Sequence, residues 1–212
     1  RQMCIRDSVG GSVALGARAH GAAREVRGVD PHRAAAGPIP LMPIREAAEW
    51  ADGIVIAVPP QALEAVLTEL APALAPGTVL TDTASVKGPV AEVVRRCLAH
   101  PEQCVGAHPI AGGDRSGFEY ADPDLFAGAA CILTPEGSEP PAVVDRVQQF
   151  WQCLGTFTAL RRPAEHDALM ANLSHAPHAI AFAFARGLSG GEDLGLCLLY
   201  TSDAADEGLG VD

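Results

Sequence analysis

Aromatic side chains are scarce: Phe, Tyr and Trp make up 5% of the 212 residues. A packed interior must therefore be built from Ala, Val and Leu, and the 48% hydrophobic content is ample for that. Basic charge is in deficit too, with 15 Lys and Arg against 26 Asp and Glu and a formal net charge of −11. Nucleic-acid binders need a basic footprint, and an anionic membrane surface repels an acidic chain, so neither is expected as a partner. A small anionic substrate stays open, because a local pocket can be positive on an acidic protein. No apolar run approaches the ~20 residues of a spanning helix, and the amino end has charge but no apolar signal core. The six Cys have no CxxC or metal-ligand spacing. They read as small buried hydrophobes in a reducing compartment, so the expected location is cytoplasmic and no metal is expected.

What the chain does have is a repeated alternation of strand and helix. Residues 53–58 (GIVIAV) are apolar and largely β-branched, as in a strand buried on both faces, and Pro59-Pro60 stops them. Leu63, Val66, Leu67, Leu70 and Leu74 recur at helical spacing and predict a helix over 61–74. Further strands are expected at 25–30, 78–82, 104–107, 130–133 and 156–160, and helices at 10–21, 44–51, 88–98 and 140–153. Such alternation means an α/β fold with a doubly wound, mainly parallel sheet. From 164 to 188 the pattern is helical without interruption, as at the start of a second, all-helical domain. The expected division is a dinucleotide-binding domain over 1–162, the beginning of a helical domain over 163–188, and a tail over 189–212.

Both ends break the pattern. Residues 1–8 (RQMCIRDS) are largely polar where a buried first strand belongs, so that strand is expected to be largely missing and the fold to lose cooperativity with it. Residues 196–207 (LCLLYTSDAADE) depart abruptly from the helical composition before them. Both stretches resemble translated adapter read-through and are expected to be foreign to the parent protein, of which this would be a fragment.

In an open α/β sheet, ligands gather at the carboxyl ends of the strands. His108 follows the apolar run 104–107 and is released by Pro109 into the loop Ile110-Ala111-Gly112, which makes it a candidate proton acceptor. A dinucleotide site needs glycines where the first strand turns into its helix, so that the backbone approaches the pyrophosphate. Only the last glycine of GxGxxG is present, as Gly10, followed by Gly11 and Ser12; Ile5 and Asp7 occupy the other two places. Asp30 ends the second strand about twenty residues on, where an acid binds ribose hydroxyls. A carboxylate there disfavours a 2′-phosphate and favours NAD over NADP. Val58, Pro59 and Pro60 end a strand beside the expected cofactor crevice. From these residues alone an ordinary loop at Gly10-Gly11 and a turn at Asp30-Pro31 remain open. Asp7 would repel a pyrophosphate, so poor dinucleotide binding is expected of the chain as it stands.

The blocks GGSVAL, AVPPQAL, TDTASVKGPV, GAHPIAGGDRSGFEYADPDLFAGAACILTP and AEHDALMANLSHAPHAIAFA occur in this order and closely resemble the prephenate dehydrogenase family, including its arogenate-using relatives, over residues 9–188. The resemblance implies oxidative decarboxylation of prephenate or arogenate in tyrosine biosynthesis. The carbon bearing the ring hydroxyl gives a hydride to NAD while the ring carboxylate leaves as carbon dioxide. It implies that His108 accepts a hydrogen bond from that hydroxyl or deprotonates it. Ser85 in ASVKG corresponds to a Ser reaching the hydroxyl, the His and the nicotinamide, and Ala84 beside it joins the cofactor contacts. From its position alone, Ser85 also reads as an N-cap for the helix near 88, and Lys87 reads as structural.

Asp114 stands where many family members carry Glu, with Gly113 in place of Thr; Asp114, Ser174 and His178 are the implied substrate-binding residues. His175 and His178 share a helix face, but without an acidic or Cys partner pattern they do not suggest metal. His175 is expected to pack or hydrogen-bond beside His178, and His166 to lie on a helix surface. Arg186 is not a convincing stand-in for the Arg with which the family clamps a substrate carboxylate. The full-length parent is expected to be a homodimer and this stretch alone to be inactive. Two other readings compete. A β-hydroxyacid dehydrogenase would need a catalytic Lys on the interdomain helix, and residues 164–188 contain none. A non-catalytic dinucleotide-binding module is favoured by the altered glycine turn.

Overall fold

The computed structural model describes residues 2–5, 7–30, 37–111 and 117–188; side chains are not described for those up to residue 7 or for 175, 178, 187 and 188. The strands are β1 (Gln2–Ile5), β2 (Val26–Val29), β3 (Gly53–Ile56), β4 (Val79–Asp82), β5 (Cys104–Pro109), β6 (Ala130–Thr134) and β7 (Phe157–Leu160). The helices are α1 (Asp7–Ala19), α2 (Ile44–Trp50), α3 (Pro60–Leu70), α4 (Gly88–Cys97), α5 (Pro141–Cys153), α6 (Pro163–Met170) and α7 (Ala176–Leu188). One sheet holds the strands in the order β2-β1-β3-β4-β5-β6-β7. β1 to β5 run parallel, β6 is antiparallel to β5, and β7 is parallel to β6. This is the doubly wound, mainly parallel α/β architecture that the alternation predicts.

Alternating residues feed the two faces of the sheet, as the two-residue period of a strand requires. Ile54, Ile56, Leu80 and Cys104 join the core with α2, α3 and α4. Val55, Val79, Val105 and Ala107 join the opposite core with α1 and α5. Burying side chains such as Leu67 and Leu70 completely contributes about 1.5–3 kcal/mol each. Among the described residues only Phe126 and Trp151 bring buried aromatic rings to these cores, edge to face with centroids 5.6 Å apart.

The first strand is present, contrary to expectation. Met3 pairs with Arg27 on one side and Ile54 on the other, and Ile5 pairs with Val29 and Ile56. Parallel pairing uses only backbone groups, and four residues suffice because the neighbouring strands β2 and β3 are themselves four residues long. The expected loss of partners for the neighbouring strands therefore does not occur. β1 is flanked by β2 and β3, so the order reverses there and opens a crevice at the carboxyl ends of β1 and β3.

The chain divides into two compact units, residues 1–168 and from 169 on. The first turns of α6 are bonded into the first unit through His166 and Asp167. In the second unit a π-helical turn, Ala171–His175, leads into α7, where Ile180 and Phe182 are exposed. The tail expected over 189–212 lies outside the described residues. Among those described, no helix is long and apolar enough to cross a membrane.

Candidate active site

His108 is the fifth residue of β5 and lies at the carboxyl end of the parallel part of the sheet. Its backbone is fixed on the β6 side: His108 pairs with Ile132, and the Ile110 N–H donates to the Ala130 carbonyl at 2.7 Å. The neighbouring Ala107 is fully buried, so strand alternation turns the half-buried His108 to the other face. There its Nδ1 lies 2.9 Å from Nε2 of His166.

His166 is fully buried, and its Nδ1 lies 2.8 Å from Oδ1 of Asp167. The expectation that His166 lies on a helix surface is thus overturned: α6 turns this ring inward onto β5. The Asp167 carboxylate also accepts the N–H groups of Lys87 and Gly88, each at 2.8 Å. These are leading N–H groups of α4, which has no side-chain cap at its own start. A helix leaves its first N–H groups without intrahelical partners, and here a residue from α6 satisfies two positions of that end. Burial pushes the Asp167 carboxyl up, but the Gly88 N–H, the His166 ring and the Lys87 N–H outweigh it and hold the group below the usual carboxylate range.

Ser85 does not cap α4. It is exposed in the loop leaving β4, adjacent in the sheet to β5, and bonds to no described residue. Ala84 donates its N–H to Oδ1 of Asp82 at 2.8 Å. Lys87 is structural, as read: it is 1% exposed, and its ammonium donates to Asp82 Oδ1 and to the Ala107 carbonyl, both at 2.5 Å. The residue immediately before His108 is thereby tied to the end of β4. Gly106 makes room for this pair, since a Cβ there would lie 2.5 Å from Thr134 Oγ1 and 3.3 Å from Asp82 Oδ2.

The cofactor-side residues divide. Asp30, half-buried, follows β2 one residue past the level at which Val29, Ile5 and Ile56 align. Val58 is buried just beyond β3, Pro59 is exposed, and Pro60 opens α3. These residues share the carboxyl rim of the sheet. Gly10, Gly11 and Ser12 do not form a loop before the helix, because α1 already starts at Asp7. Gly10 is buried. Gly11 seats the segment at 118–121: a Cβ would fall 2.8 Å from Ala121 Cβ and 2.9 Å from Phe118 Cδ2. Ser12 is fully buried, donating to the Ser8 carbonyl and accepting the Asp122 N–H. Gly11 and Ser12 thus pack within the protein as part of α1. Asp114 lies outside the described residues, as do the side chains of His175 and His178. Ser174 is half-buried in the π-helical turn of the second unit.

A parallel doubly wound sheet, a switch point beside β1, an acid past β2 and an imidazole at the rim of β5 define a nucleotide-binding domain of the Rossmann-like class. The family model described as "Prephenate dehydrogenase, nucleotide-binding domain" matches residues 13–159, and the chain belongs to this family. The cyclohexadienyl dehydrogenase of Zymomonas mobilis is 32% identical over 149 residues, covering 70% of this chain and 50% of that protein. The prephenate dehydrogenase of Bacillus subtilis is 29% identical over 182 residues, covering 82% and 49%. The chain thus spans about half the length of these curated relatives. Among solved structures, the prephenate dehydrogenase of Aquifex aeolicus in complex with hydroxyphenyl propionate and NAD+ superposes with a TM-score of 0.83 at 25% identity. That match covers 98% of this chain and 76% of the other. The arogenate dehydrogenase of Synechocystis gives 0.82 at 25% identity, covering 98% and 77%.

Two measurements check the geometry. Lys87→Met leaves the Asp82 carboxylate buried without its cation, and breaking such a pair costs about 3–5 kcal/mol. Denaturant unfolding should show that loss, whereas Arg95→Met, at the half-exposed Arg95–Glu136 pair, should cost less than about 1 kcal/mol. Equal effects would contradict the assignment. Because folding lowers the Asp167 pKa, its contribution to stability is complete above the unfolded value of about 3.9 and fades as pH falls through the folded value. The stability difference between the parent and Asp167→Asn should therefore shrink in acid.

Proposed function

We propose that this chain is the nucleotide-binding, proton-accepting part of an enzyme that oxidatively decarboxylates prephenate or arogenate with NAD, in tyrosine biosynthesis. The observation that carries the reading is the position of His108 at the carboxyl rim of β5, its ring braced from behind by His166 and Asp167. When bound, the nicotinamide accepts the hydride released from the carbon that bears the substrate hydroxyl.

His108 takes the hydroxyl proton as that carbon becomes a carbonyl. The bond to the ring carboxylate then breaks, carbon dioxide leaves, and its electron pair completes the aromatic ring. The proton returns to the phenolic oxygen, so no net proton is consumed. Ser85 is proposed to orient the same hydroxyl, and its exposure on the neighbouring loop supports this. Asp114, Ser174 and His178 are proposed to contact the rest of the substrate.

The rim fits a dinucleotide in part. Asp30 lies where an adenosine ribose would be held, and its charge disfavours a 2′-phosphate, so NAD is favoured over NADP. Val58, Pro59, Pro60 and Ala84 line the proposed path, and Gly10, Gly11 and Ser12 near the start of α1 complete the proposed cofactor set. Ile5 and Asp7 in place of glycines do not suit a pyrophosphate, so affinity in this chain is expected to be low. That mismatch also favours a second reading, a nucleotide-binding module without turnover. The parent enzyme is proposed to be cytoplasmic and homodimeric, with a small-molecule substrate.

In a chain extended to the length of its relatives, His108→Asn should lower kcat with prephenate or arogenate by about 10²–10⁴-fold. Turnover close to that of the unsubstituted enzyme would remove His108 from this role. Failure of the unsubstituted enzyme to oxidise either substrate would favour the module without turnover.

A further inference from the structure

A neutral imidazole carries one proton, and the nitrogen that carries it cannot accept another. For a base at the end of β5, the tautomer therefore decides which atom can act. The surroundings of His108 determine it from behind. The ionised Asp167 carboxylate only accepts hydrogen bonds, so His166 Nδ1, 2.8 Å away, must donate to it. A neutral His166 then has its lone pair on Nε2. That atom lies 2.9 Å from His108 Nδ1, and a hydrogen bond between them needs a proton on the His108 side.

We propose that the buried His166, held by the half-buried Asp167, locks His108 in its Nδ1–H tautomer and makes Nε2 the proton-accepting atom. The functional meaning rests on the reading of His108 as the base; the tautomer itself follows from this chain alone. His166 and Asp167 are positioning residues that act through His108. When Nε2 takes up a proton, the Nδ1–H bond to His166 is retained. The new positive charge then faces a chain of dipoles ending on a carboxylate, an arrangement that stabilises an imidazolium. Asp167 also fixes the N–H groups of Lys87 and Gly88, two and three residues beyond Ser85. One carboxylate thus sets both the orientation of the base and the start of the helix that follows the Ser85 loop.

The test is the long-range proton–nitrogen spectrum of the histidine rings in the 212-residue chain, labelled with nitrogen-15 and recorded above pH 7. The His108 signals are assigned by their loss in His108→Asn. The expected pattern is a protonated Nδ1 and an unprotonated Nε2 in the parent. In Asp167→Asn, and independently in His166→Gln, the pattern should shift towards Nε2–H, the tautomer that predominates in free histidine. An Nε2–H ring in the parent overturns the proposal without requiring any variant to fold. An Nδ1–H ring that persists in both folded variants also overturns it. The reading of His108 as the base fails separately: normal turnover in the extended His108→Asn enzyme removes the base and leaves the tautomer result standing.

Discussion

One carboxylate holds the candidate site together. Asp167 receives hydrogens from the Lys87 and Gly88 backbones and from the His166 ring, and so fastens α6 to the first turn of α4 and, through His166, to the end of β5. Hydrogen bonds to a charged group contribute about 1.5–3 kcal/mol each, so three on one acceptor are a substantial tie. The two ends lie 79 and 80 residues apart in sequence. Loop-closure entropy rises only logarithmically with that separation, so the distance is no obstacle to the contact.

Around this tie the imidazole of His108, the proposed base, is held from several sides. The His108 backbone lies in the antiparallel ladder with β6, the preceding carbonyl is held by the buried Lys87 ammonium, and the ring is met by His166. A proton acceptor fixed in this way does not have to be reorganised when it acts, which is where preorganised sites gain their rate. The Lys87–Asp82 pair adds to this by joining β4 to β5 at the level where the site begins. The backbone path that carries Asp82, Ser85 and Lys87 from β4 into α4 is thus fixed at both ends.

The parts of this arrangement differ in how far the sequence reveals them. Strands β3 and β5 are legible because both faces are buried, which leaves uninterrupted apolar runs. His108 is legible because it stands just past such a run. β1 is not, because its pairing is made by backbone groups while Arg1, Gln2, Arg6 and Asp7 give the segment a polar composition. His166 is missed because α6 (PAEHDALM) shows little segregation of apolar residues to one face. The signal that was available is the adjacent His-Asp pair, an acceptor beside a ring able to donate to it. The start of α1 is not legible, because the helix begins earlier than the glycines suggest, so Gly11 and Ser12 lie inside it.

The imidazole of His108, braced by His166 and Asp167, is proposed to face a bound nicotinamide. The most direct measurement is a crystal structure of the chain, extended to its relatives' length, with NAD and a product analogue. The account predicts His108 Nε2 within hydrogen-bonding distance of the analogue's ring oxygen while Nδ1 stays on His166. A structure in which the His108 ring turns away from the bound ligands, or parts from His166 when they bind, would contradict it.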